Sequence, residues 1–229
     1  MAAAAPPSKK GPAAPEITLR PFQLSDVDYL LAWMGDDRVS HYTAWDTLAS
    51  REEALDYLKN TILPHPCFRA VCVGGRPVGY VSVRPRTGTK RCRGRGSCSF
   101  AREYWGREIA PAAVRAMAAE AFREFPELER VEALVDVENA GAHRVMEKAG
   151  FVREGVHRRF YVRKGRLWDM SKDTYIEGQV EGTRAIAGSK KLATKNLEEQ
   201  SMAKTKPWNR DRRSKHNWQH RRDPWIEKA

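Results

Sequence analysis

The stretch from Cys98 to Arg123 constrains this chain most. A short alternating segment with Cys98 and Phe100 passes through the aromatic pair Tyr104 and Trp105 to Gly106, then enters an alanine-rich run. Ile109, Ala113, Val114, Met117 and Ala121 recur three and four apart, which places them on one helical face. Pro111 marks the helix start, because proline is tolerated in a first turn and breaks a helix interior. The stretch reads as strand, turn, helix. That order leaves the backbone N–H groups of residues 106–110 without intrahelical partners, at the positive end of the helix dipole. A phosphate or pyrophosphate can be received there.

From Arg130 to Val137 the alternation is clean. Val131, Ala133, Val135 and Val137 share one face, and Glu132, Leu134 and Asp136 share the other. A strand directly after the helix predicts a parallel pair with the helix as crossover. Ala142–Ala149 then predicts a short helix ended by Gly150, suited to a left-handed cap. Strands are expected from Phe151 to Tyr161 or Arg163, and from Leu167 onward.

Three motifs now stand in order: Tyr-Trp-Gly-Arg-x-Ile-Ala at 104–110, Glu-Asn at 138–139, and Arg-Val-Met-Glu-Lys-Ala-Gly-Phe at 144–151. With them the chain resembles the GNAT superfamily of acyl-CoA N-acyltransferases, in its ribosomal-protein-alanine (RimJ/RimL-like) branch, over about Ile17 to Met170, with an atypical C-terminus. The resemblance implies a mixed α/β fold: a mostly antiparallel central sheet with one splayed parallel pair and helices on both faces. It implies acetyl-CoA as co-substrate, with the pantetheine arm in the gap between the splayed strands near Phe100 and Ala101. Trp105, Gly106, Arg107, Glu108, Ile109 and Ala110 would form the turn that receives the diphosphate, and Asn139 would lie beside the arm. The implied activity is acetyl transfer to a primary amine by direct attack, the acceptor being a protein N-terminal amine, a polyamine or a small amine.

An amine is mostly protonated at neutral pH, so the reaction needs a base, direct or through water. Glu138, Glu132 and Asp136 are the candidates, on or just after the strand lining the gap. Glu138 leads because it abuts Asn139 at the mouth of the gap. Four positions depart from the family pattern. Glu108 replaces a small residue and would set a carboxylate against pyrophosphate unless its side chain swings outward. Ala142 stands for a serine and Met146 for a tyrosine. Ser171-Lys172-Asp173-Thr174 breaks the alternation expected of the last strand, predicting a strand that is short or poorly held. The alternative to an enzyme is a degenerate domain serving as a basic RNA- or ribosome-binding module.

Upstream, Ile17–Phe22 predicts a strand. Ser25 is placed to cap a helix through Val27, Leu30, Leu31 and Met34, and Ser50-Arg-Glu-Glu53 is a capping-box sequence for a second helix that runs to Ile62. Between them, residues 36–48 carry His41, Tyr42, Trp45 and Asp46, which the resemblance assigns to the acceptor side. Phe68–Val73 and Val78–Val83 flank Gly74-Gly75, a pair suited to a hairpin turn. Residues 84–95 hold six basic and no acidic residues. That link reads as a solvated hairpin, or as a contact for an acidic acceptor, RNA or the 3′-phosphate of coenzyme A.

At 229 residues and 41% hydrophobic content, the chain has enough apolar sequence for one domain, taken as residues 16–176. Residues 1–15 are Ala/Pro-rich without a signal-peptide pattern, and residues 177–229 form a basic tail. Both are expected to be disordered. Half of the net charge of +12 lies beyond Met170. Trp208, Trp218 and Trp225 stand among arginines there, a pattern that admits weak nucleic-acid or ribosome contact. The four cysteines lack metal-ligand spacing, so free thiols, no metal and a reducing compartment, cytoplasmic or nuclear, are expected. No apolar run is long enough for a membrane span.

Overall fold

The computed structural model describes residues 16–178, so the readings of the leader and of the tail beyond Gly178 lie outside the described residues. The strands are β1 (Thr18–Pro21), β2 (Phe68–Val73), β3 (Arg76–Pro85), β4 (Arg93–Phe100), β5 (Arg130–Asp136), β6 (Val152–Arg163) and β7 (Arg166–Ile176). They form a single seven-stranded sheet in the order β1-β2-β3-β4-β5-β7-β6. Only β4 and β5 run parallel, with residues 109–124 as the helical crossover. The expected mixed α/β architecture is present.

The helices are α1 (Val27–Met34), α2 (Asp37–Ser40), α3 (Arg51–Tyr57), α4 (Ile109–Glu124) and α5 (Ala140–Ala149). Alternate residues of the same strands feed two cores, which therefore lie on opposite faces of the sheet. Val71, Val81 and Val83 pack with α4 and α5, while Ala70, Cys72 and Tyr80 pack with α1 and α3. The predicted face of α4 is the buried one, with Ile109, Ala113, Val114, Met117 and Ala121 all in the core. Each large apolar side chain in that core contributes about 1.5–3 kcal/mol through burial.

Local details differ from expectation where tertiary contacts intervene. Ser25 does not cap α1. A 3₁₀ turn at Leu24–Asp26 precedes it, and Asp26 is buried, accepting from the Gln23 N–H at 2.8 Å and from Arg20 at 2.7 and 2.8 Å. Ser50 does cap α3, accepting from the Glu53 N–H at 3.2 Å, but the Glu53 carboxylate reaches back to the Ala49 N–H instead of that of Ser50. A π turn at Leu58–Ile62 carries this helix to the end predicted for it. The basic link is shorter than its sequence suggests, because β3 runs to Pro85 and β4 begins at Arg93. Arg91 pairs with Glu127 and Arg93 with Glu132, so part of that charge is answered within the domain.

The last strand corrects the sequence expectation outright. Instead of breaking at Ser171–Thr174, β7 pairs with β5 from Met170 through Ile176 and with β6 on its other side. Its polar residues are buried with partners. The Ser171 hydroxyl donates to Asp173 at 3.2 Å, Asp173 lies 3.7 Å from both His143 and Arg153, and Thr174 accepts from Arg130 at 2.9 Å. Lys172, on the other face, bridges Glu132 and Glu154 at 3.1 Å each. Ion pairs and hydrogen bonds hold this strand where an apolar alternation was expected.

Candidate active site

The parallel ladder between β4 and β5 starts at Arg93 opposite Arg130 and ends at Gly96 opposite Ala133. Beyond it, β4 stays with β3 to Phe100 and β5 stays with β7 to Asp136, so the two strands part. The Ala101 N–H donates to the Val78 carbonyl at 2.8 Å. Strand alternation then turns the backbone groups of Cys98 and Phe100 the other way, into the gap. Ala101 thus faces β3, and Cys98 takes its expected place beside Phe100 as backbone lining the opening. The Phe100 carbonyl accepts from the Trp105 indole at 2.8 Å, which tacks the following turn onto the end of β4.

That turn leads into α4. Gly106 has φ +73°, and Glu108, the residue before the helix, is also left-handed at φ +59°. A left-handed non-glycine residue costs roughly 1–2 kcal/mol. Glu108 is held by an ion pair with Lys148, near the end of α5, and its side chain is half exposed. Its carboxylate has swung outward, the condition under which the anion seat stays open. Arg107 lies over the Tyr104 ring at 5.4 Å. The first N–H groups of the sixteen-residue α4 have no carbonyl a turn earlier to bind. Asn139 caps α5, its side-chain oxygen accepting from the Ala142 N–H at 3.0 Å.

The three candidate bases separate clearly. Glu132 is committed to Arg93, Arg130 and Lys172 at 2.7 to 3.1 Å. Burial alone would raise its pKa, but hydrogen bonds from Arg93 and Lys172 hold the carboxyl below the usual range. It is a strut between strands, poorly placed to accept a substrate proton. Glu138 is exposed and paired with Arg166 at 2.7 Å. Asp136 is only 4% exposed; Oδ1 accepts from the Glu138 N–H at 2.7 Å, and Oδ2 is buried without a hydrogen-bond partner.

Asp136 and Glu138 share a cavity of about 250 Å³ with Arg159, Arg166, Trp168 and Asp169. Nothing in the sequence marked the last four. The β6–β7 pairing slips between His157 and Tyr161, bulging β6, and Arg159 within the bulge is left-handed at φ +52°. The Asp169 carboxylate holds it by accepting the Arg159 N–H at 2.7 Å. The aromatic loop 36–48 reaches this region from the other side. His41 and Tyr42 meet Trp168 edge-on at 6.0 and 6.3 Å, and Arg163 stacks over that indole at 4.3 Å. Trp45 turns away to pack on Trp33 at 6.3 Å.

A sheet splayed beside a helix start is specific enough to compare with known proteins, and residues 16–152 match the acetyltransferase (GNAT) domain family. The chain belongs to the GNAT family. It is 23% identical over 171 residues to the uncharacterized N-acetyltransferase p20 of Bacillus licheniformis, covering 72% of this chain and 96% of that one. Among solved structures, the fold is shared with a ribosomal-protein-alanine N-acetyltransferase from Brucella melitensis at TM-score 0.57 and 23% identity. That match covers 69% of this chain and 99% of the other. It is shared also with a spermidine N-acetyltransferase from Vibrio cholerae in complex with CoA and spermine, at TM-score 0.60 and 19% identity. There the coverage is 71% and 96%. Among the described residues of this GNAT protein, no helix is long and apolar enough to cross a membrane.

Proposed function

We propose that the protein is an acetyl-CoA-dependent N-acetyltransferase that acylates a primary amine by direct attack, with Asp136 as the proton acceptor. The observation that carries this reading is the opening between β4 and β5 beside the start of α4. Backbone groups of Cys98 and Phe100 face the opening, as a strand-like pantetheine arm requires, and the N–H groups of residues 106–110 suit a diphosphate. Acetyl-CoA, when bound, supplies an acyl thioester whose carbonyl carbon is open to an amine, with the CoA thiol as leaving group.

The chain's own groups do the rest. Preorganised backbone N–H groups in a restricted gap can hold developing negative charge on an oxygen. An ammonium entering the cavity meets Asp136 Oδ2, whose lack of a protein partner leaves a lone pair ready for its proton. Glu138, carried on the exposed turn and neutralised by Arg166, is better placed to pass that proton to solvent.

The Tyr-Trp-Gly-Arg turn supports the RimJ/RimL-like branch, and the free thiols of all four cysteines support a cytoplasmic setting. Two measurements test the reading together: a rise in melting temperature with acetyl-CoA, and thiol release when an amine is added. A protein that shows neither is not an acetyltransferase of this kind.

A further inference from the structure

Resting on the acetyltransferase reading, we infer that the acceptor carries an anionic group close to its primary amine. The grounds are the charges that line the cavity at the end of β5. Arg166 is answered by Glu138 at 2.7 Å, and the Asp169 carboxylate by the Arg159 N–H at 2.7 Å. Two charges remain. Asp136 Oδ2 is buried without a partner, and the Arg159 guanidinium has no ion-pair partner among the described residues. One unanswered anion and one unanswered cation on a shared wall match a ligand with both signs, an ammonium for Asp136 and an anion for Arg159.

The backbone supports this assignment. Between His157 and Tyr161 the bulge sets three residues of β6 against one of β7, and the strained residue within it is Arg159. Bulges re-aim side chains, and a left-handed arginine persists only where its surroundings fix it. Here Asp169 fixes it, at the rim of the cavity. A polycation is disfavoured, since its second ammonium would meet Arg159 and Arg166. Size points the same way. A volume of about 250 Å³ holds roughly eight waters at ~30 Å³ each, suited to one amino-acid-sized group and small for an extended chain.

Such an acceptor has two sources: a free amino acid with its own carboxylate, or the first residue of a peptide with an acidic side chain. The test uses matched pairs, alanine against alaninamide, and peptides beginning with aspartate against the same peptides beginning with asparagine. Thiol release from acetyl-CoA is measured for each and referred to the unprotonated amine. The expected result is at least a tenfold higher kcat/KM for the anionic member of one pair, and which pair responds names the source. Arg159→Asn, a residue tolerant of positive φ, should bring that ratio toward one, and Arg159→Lys should keep much of it. Equal rates on both members of both pairs, or a ratio unmoved by Arg159→Asn, overturn the inference and leave acetyl transfer standing. No transfer to any member overturns the acetyltransferase reading, and this inference with it.

Discussion

Glu108 and Lys148 form an ion pair that ties the start of α4 to the end of α5 and draws the Glu108 carboxylate off the helix axis. A bulky acid at this turn looks incompatible with an anion site when the sequence alone is considered. The pair reconciles them, because the left-handed backbone of Glu108 directs its side chain toward α5.

Lys148→Ala should therefore weaken acetyl-CoA binding about three- to tenfold, by freeing a carboxylate to repel the diphosphate with about 1 kcal/mol in solvent. In a Glu108→Gly background the same change should have little effect. Calorimetric titration of the four proteins in the cycle measures the coupling. Glu108→Gly itself should alter stability by no more than about 1 kcal/mol, since relief of a left-handed side chain offsets loss of an exposed pair.

Asp136→Asn keeps a side-chain acceptor for the Glu138 N–H while removing the basic oxygen. We expect kcat to fall about 10²- to 10⁴-fold and the acid limb of the pH–rate profile to disappear. Glu138→Gln should cost threefold or less, on the order of a solvent-exposed contact. A profile that keeps its acid limb in Asp136→Asn would place the base elsewhere.

Stability should fall in two stages as pH is lowered. Burial, with help from the Arg84 charge, lowers the His65 pKa to about 4. The unfolded chain therefore takes up that proton first, and stability present above pH 6.5 is lost between 6.5 and about 4. The depressed carboxylates of Asp26 and Glu132 keep their contribution above their ordinary values of 3.8 and 4.5 and lose it only as pH falls through the lower folded values. Urea unfolding of His65→Gln should flatten the first stage alone, and Glu132→Gln the second.

Gly79 lies opposite Phe100 across the β3–β4 ladder, and a Cβ there would sit 2.4 Å from the Ser99 carbonyl oxygen and 2.8 Å from the Phe100 Cα. Gly79→Ala must push β4 away from β3. We expect a loss of about 1–3 kcal/mol in stability, and weaker acetyl-CoA binding because the displaced backbone lines the gap. Denaturant unfolding and ligand titration report the two effects separately.

Thiol labelling of the native protein should find one fast group among four cysteines. Cys92 is exposed, whereas burial pushes the thiols of Cys67 and Cys98 up to about 12 and raises that of Cys72. Thiolate is the reactive form, so the buried three should react only on unfolding.

The sequence determined the elements and the part of the site built from backbone. The apolar spacing of α4, the alternation of β5, the Gly74-Gly75 turn and Gly150 at the end of α5 are local patterns, and local sterics and burial decide them. The gap between β4 and β5 was legible for the same reason, through motifs that fix a turn and a helix start. What lies across strands was decided only by the tertiary structure. Glu132 became a strut because Arg93 and Lys172, distant in sequence, converge on it, while Asp136 kept an unpartnered oxygen. Ser171 and Asp173 could be buried in β7 because α5 and β6 bring His143 and Arg153 to Asp173. The bulge at Arg159 left no mark in residue type, since it depends on the Asp169 carboxylate across the ladder. A charge's role depends on which partners folding brings within a few ångströms, and the linear order of residues does not contain those distances.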